Sequence, residues 1–107
     1  MITLTGNKGI HLKFDNGITL SIQFGLGNYC SNLNADMKLS LGNRVESADA
    51  EIAAFNDSNL WFNFSTLTFL EPPNVKGYVS FNEVLDYITY FRNYKTGNSI
   101  HYLNLGK

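Results

Sequence analysis

Cysteine is almost missing from the 107 residues: Cys30 stands alone, so no internal disulfide can form. Small secreted domains usually lean on several disulfides, and the expected compartment is therefore a reducing cytoplasm. Proline occurs only as Pro72-Pro73, a pair that ends any preceding strand or helix. No apolar run approaches the ~20 residues of a membrane-spanning helix. Residues 1–9 also lack the basic flank and unbroken apolar run of a signal peptide, so membrane insertion and secretion are not expected. Charge is scarce and balanced, with 16% charged residues and a net charge of −1 from eight basic and nine acidic side chains. Such a surface has no general attraction for nucleic acid or anionic lipid, and direct nucleic-acid binding is not expected.

What is present belongs to a globular chain: 44% of all residues are apolar and 14% of all residues are aromatic, on a length that suffices for one core and is too short for two. Residues 1–107 are expected to form a single domain. From 10 to 24, Ile10, Leu12 and Phe14 alternate with polar residues, and so do Ile18, Leu20, Ile22 and Phe24. That is the period of two half-buried strands. A three-residue turn Asp15-Asn16-Gly17, with Gly17 left-handed, sets Phe14 opposite Ile18, Leu12 opposite Leu20 and Ile10 opposite Ile22, leaving one face wholly apolar. Met37 to Leu41 reads as a short strand. Residues 45–55 leave helix and strand hard to separate, with a strand ending at Phe55 preferred, and the cluster Asn56-Asp57-Ser58-Asn59 turns it into a second hairpin carrying Trp61.

The helix signal is the clearest. Ser80 and Glu83 form a capping box, so the helix starts at Phe81, and Phe81, Val84, Leu85, Ile88 and Phe91 follow helical spacing toward a stop at Gly97. Those residues are expected to cover the apolar hairpin face, so that Leu85→Asp unfolds the domain. Ile100 to Leu105 is expected to add a last strand. The fold class expected is α+β: an antiparallel sheet of about five to seven strands, with one amphipathic helix of the C-terminal half packed on it.

Chemistry-bearing residues are sparse. His11, Cys30 and His101 are isolated in sequence, and Glu46, Asp49 and Glu51 read as a solvated strand face. No metal, cofactor or catalytic residue is expected. The stretch 25–36 holds two glycines and three asparagines, and a loop of that length usually has a job. With Gln23, it gathers amides, a thiol and an aromatic ring in Asn28, Tyr29, Cys30 and Asn32, a composition suited to gripping a small polar or nucleotide-like ligand. On the helix, Tyr87, Tyr90 and Tyr94 form a second stripe beside the core stripe. Tyrosine is enriched at interface hot spots, and a homodimer through this stripe is the expected assembly.

The segment Lys8-Gly9-Ile10-His11-Leu12-Lys13-Phe14-Asp15-Asn16-Gly17-Ile18-Thr19-Leu20-Ser21-Ile22-Gln23-Phe24-Gly25-Leu26-Gly27-Asn28-Tyr29-Cys30 resembles a group of small, uncharacterised tailed-phage proteins, and Asp49-Ala50-Glu51-Ile52-Ala53 is similar as well. The resemblance implies an accessory phage protein acting in the host cytoplasm. It points to a non-enzymatic counter-defence binder whose partner is a host defence protein, as in anti-CRISPR inhibitors, or a small nucleotide immune signal. The alternatives are a minor phage structural or assembly protein, and a small hydrolase using Cys30 and the histidines.

Overall fold

The computed structural model describes residues 1–6, 8–34 and 46–95, which form seven strands and one helix. Strands β1 (Ile2–Thr5), β2 (Gly9–Lys13), β3 (Thr19–Gln23), β4 (Asp49–Phe55), β5 (Trp61–Asn63) and β6 (Thr68–Leu70) neighbour one another in that order. β7 (Lys76–Ser80) lies beside β4, and α1 (Phe81–Arg92) follows it directly. Every pairing is antiparallel. With the helix packed on the sheet this is the expected α+β arrangement. The strands expected at 37–41 and 100–105 lie outside the described residues, as do Gly97 and His101.

The β2–β3 hairpin has the register that its apolar pattern requires. Ile10 pairs with Ile22 and Leu12 with Leu20, while the Phe14 N–H donates to the Ile18 carbonyl and the Gly17 N–H to that of Phe14. Gly17 has φ +84, a left-handed backbone that calls for glycine. Asn16 joins this turn to the helix: its side-chain oxygen accepts from Ile18 N–H and its amide donates to the Phe91 and Tyr94 carbonyls. Those carbonyls belong to the helix end, where backbone acceptors lack intrahelical partners.

Two strands escaped the sequence reading. β1 pairs with β2 and places Ile2 opposite Leu12 and Leu4 opposite Ile10. β7 is interrupted by a bulge: Ala50 and Ile52, two apart on β4, face Val79 and Lys76, three apart on β7. The extra residue takes up Tyr78, which has a left-handed φ of +54. A tyrosine in that region is strained, and the short run of Tyr78 and Val79 beside Gly77 shows no period-two alternation to mark 76–80 as a strand.

Helix α1 begins where the capping box sets it. The Glu83 N–H donates to Ser80 Oγ, and the Ser80 N–H donates back to the Glu83 carboxylate. Its orientation about its own axis differs from expectation. The buried face is Val84, Tyr87, Tyr90 and Phe91, whereas Phe81 is 63% and Leu85 45% exposed. The reason lies in the β5–β6 hairpin, which brings Phe62, Phe64 and Phe69 under the helix. Phe62 meets Tyr90 and Phe91 at 5.9 and 4.9 Å between ring centroids, Phe64 meets Tyr87 at 5.6 Å, and Phe69 meets Tyr94 at 5.3 Å. These edge-to-face aromatic contacts add to plain area burial and draw the tyrosine side of the helix inward. The expected interface of Tyr87, Tyr90 and Tyr94 is therefore corrected: Tyr87 and Tyr90 are buried at 3% and 4% exposure, and Tyr94 packs against the same core. A stripe already spent inside one chain offers no rings to a second copy.

Candidate functional site

The glycine loop, residues 25–34, folds onto the sheet by consuming its own polar groups. Asn28, almost fully buried, accepts from the Gly25 N–H through Oδ1 and reaches the Glu51 carboxylate through Nδ2 at 3.4 Å. The Tyr29 N–H also donates to Glu51, at 3.2 Å. Ser31 gives both its N–H and its hydroxyl to Asp49, at 2.6 and 2.9 Å. Asn32 Nδ2 donates to the Phe24 and Glu46 carbonyls. Gln23, at the end of β3, donates to the hydroxyls of Thr5 and Ser21. Asp49 and Glu51 thus serve as anchors for this loop. The Ser31 N–H, aided by the Ser31 and Ser47 hydroxyls and opposed by desolvation, holds the Asp49 carboxyl below its ordinary value of 3.8.

Cys30 sits inside the loop with 1% exposure, its Sγ 3.9 Å from the Gly25 carbonyl and 3.4 Å from the Asn32 N–H. His11 lies on the sheet face away from the helix, edge-on to Phe55 at 5.7 Å. Tyr29 is the large side chain of the loop that reaches solvent, at 54% exposure. Its carbonyl accepts from the Tyr78 N–H at 2.8 Å. A Cβ on Gly77 would come within 2.8 Å of the Tyr29 Cβ, so glycine there lets loop and bulge meet. Of the five residues named from the sequence, Asn28, Cys30 and Asn32 hold the loop together, and Gln23 ties β3 to β1.

A different concavity is open. Between α1 and the β2–β3 side of the sheet runs a groove of about 440 Å³, floored by Ile10, Ile22 and Phe24 and walled by Phe81, Leu85 and Ile88. Glu46, Ser47 and Asp49 stand at its rim, and both charged residues among its lining are acidic. The sheet floor continues outward on the same face through Leu4 and Ile2, at 69% and 75% exposure, because these pair with Ile10 and Leu12. An apolar surface of this continuity exceeds the scattered exposed residues of an ordinary monomer. Sequence did carry its signal, in an apolar helical arc too wide for one sheet contact, but the half of the arc assigned to solvent was the wrong one. A second hollow of about 370 Å³ lies between Asn16, Ile18, Asn56, Phe69, Tyr94 and Lys95, where the Asn16 amide is already engaged by the helix end.

Among the described residues, no three His, Cys, Asp or Glu side chains group as metal ligands, and no helix is long and apolar enough to cross a membrane. No protein-family model, curated protein or solved structure matches the chain.

Proposed function

We propose that this chain is a non-enzymatic counter-defence protein that disables a host immune effector by stoichiometric binding, and that the groove beside α1 is its contact surface. The observation carrying the reading is Phe81 and Leu85 standing exposed over the apolar floor of Ile10, Ile22 and Phe24. An amphipathic protein segment is recognised in this way, by apolar anchors laid into a groove. The acidic rim of Glu46 and Asp49 suits a segment whose anchors are flanked by Lys or Arg. Inhibition of an effector protein is favoured over sequestration of a nucleotide, since the amides that would grip a nucleotide at 25–34 are engaged by Gly25, Glu51 and the Phe24 and Glu46 carbonyls. Binding is favoured over hydrolysis by the placement of the Cys30 thiol, buried against Gly25 and Asn32, because a nucleophile must reach its substrate.

The test is phage plating on host cells that carry an active CRISPR system and express the chain. Wild-type protein should restore plating, and Leu85→Asp with Phe81→Ser should return it to the empty-vector level while circular dichroism and melting temperature stay near wild type. Tyr29→Ala should leave the effect intact. Full restoration by the groove double variant would exclude the groove, and loss on Tyr29→Ala alone would move the site to the loop.

A further inference from the structure

β1 and β6, at the two ends of the main strand order, differ in how they meet solvent. β6 is three residues long and runs into Glu71-Pro72-Pro73, a charge and two residues without N–H donors, which are the usual guards against edge-to-edge pairing. β1 carries no guard: Ile2-Thr3-Leu4-Thr5 has neither charge nor proline, and β-branched residues at three of its four positions. Natural sheets seldom leave such an edge bare unless something pairs with it.

The direction of its unused hydrogen-bonding groups is fixed by the β1–β2 ladder. Met1 and Lys13 exchange both backbone bonds, Met1 N to the Lys13 carbonyl at 2.9 Å and Lys13 N to that of Met1 at 2.8 Å. In an antiparallel pair such exchanges occur at every second residue, so Thr3 also turns its N–H and C=O toward β2. Ile2 and Leu4 turn theirs to the open side. From this phase and from the exposed apolar side chains, we infer that β1 is a homodimer edge, where a second copy of this chain adds antiparallel across a two-fold axis at Thr3.

Only one class of register works. If Ile2 faced Thr5 of the second copy, the apolar face of one sheet would adjoin the polar face of the other, because a one-residue slip exchanges the faces. With Thr3 on Thr3, Ile2 lies opposite Leu4 in both directions, their outward N–H and C=O groups exchange bonds, and the apolar faces run on continuously. Ile2 and Leu4, 75% and 69% exposed in one copy, then pack against each other across the axis. The contact is isologous, so it closes at two copies and does not propagate. It stands independently of the groove's own partner.

Thr3 on Thr3 would be a pair without mutual backbone bonds, with Cα atoms about 4.5 Å apart, a separation that a disulfide spans. Thr3→Cys under mild oxidation should therefore give a covalent dimer on a non-reducing gel, while wild type, with Cys30 buried, and Thr5→Cys should not. Sedimentation equilibrium of the wild-type protein at roughly 100 μM, well above a micromolar dissociation constant, should report two copies. Ile2→Lys with Leu4→Lys should report one, with an unchanged circular dichroism spectrum. A wild-type monomer at that concentration, a folded double variant that still dimerises, or equal cross-linking through Thr3→Cys and Thr5→Cys would each overturn the assignment.

Discussion

The phenolic oxygen of Tyr90 is the one buried side-chain polar atom among the described residues that finds no hydrogen-bond partner. Its ring packs against Phe62, Phe91 and Tyr94 at 5.9, 5.1 and 5.7 Å, so apolar contact is what the residue contributes. Burying a hydroxyl unpaired costs about 1–3 kcal/mol, and removing it while keeping the ring recovers that cost. Tyr90→Phe should accordingly leave the melting temperature unchanged or raise it, as followed by circular dichroism. A clear fall would show that the hydroxyl has a partner after all. The strained residue Tyr78 invites no such simplification: its left-handed backbone places an N–H on the Tyr29 carbonyl, and glycine there would relieve strain while freeing the bulge.

At the scale of elements, the helix separates what sequence displays from what only the fold decides. Its start was legible, because Ser80 and Glu83 satisfy donors locally. Its facing was not, because that depends on rings of the β5–β6 hairpin contributed from well upstream in the chain. The two sides of the helix should answer mutation very differently. Phe91, fully buried, should cost about 3–5 kcal/mol when changed to alanine, and Leu85→Asp, once expected to unfold the chain, should cost little because that side chain is 45% exposed. Urea denaturation of the two variants measures both; comparable losses would mean that the groove is closed in solution. The β2–β3 hairpin was legible to the register, since period-two alternation and Gly17 constrain the same answer. β1 was passed over because its apolar side chains Ile2 and Leu4 extend a face that only the pairing with β2 creates. In the candidate site, the loop residues were found as neighbours, but their roles depend on Asp49 and Glu51 arriving from β4 as acceptors, and linear spacing holds no trace of that.

For the whole molecule, two groups in different parts of the fold set opposite limits on stability with pH. Asp49 ties the glycine loop to the sheet, and its folded pKa lies below the ordinary 3.8 through the Ser31 N–H. The folded state therefore releases this proton more readily than the unfolded chain, so the stabilisation is complete above that value and fades as pH falls through the lower folded one. Tyr87, in the helix–sheet core, is pushed up from 10.0 to about 12 by burial, with Glu83 and Tyr90 adding to the shift. Here the folded state holds the proton more tightly. Its contribution is complete below pH 10.0 and is lost as pH climbs toward about 12. Chemical denaturation across pH should show a plateau bounded on both sides, with Asp49→Asn flattening the acid limb alone and Tyr87→Phe reducing the alkaline limb alone. Burial also raises Tyr90, so Tyr87→Phe should leave a residual alkaline slope that the additional change Tyr90→Phe diminishes. If Tyr87→Phe left the alkaline limb untouched, the core around Phe62, Phe64 and Phe91 would have to admit water to that phenol, and the helix would be rotated back toward the stripe of Phe81, Leu85 and Ile88.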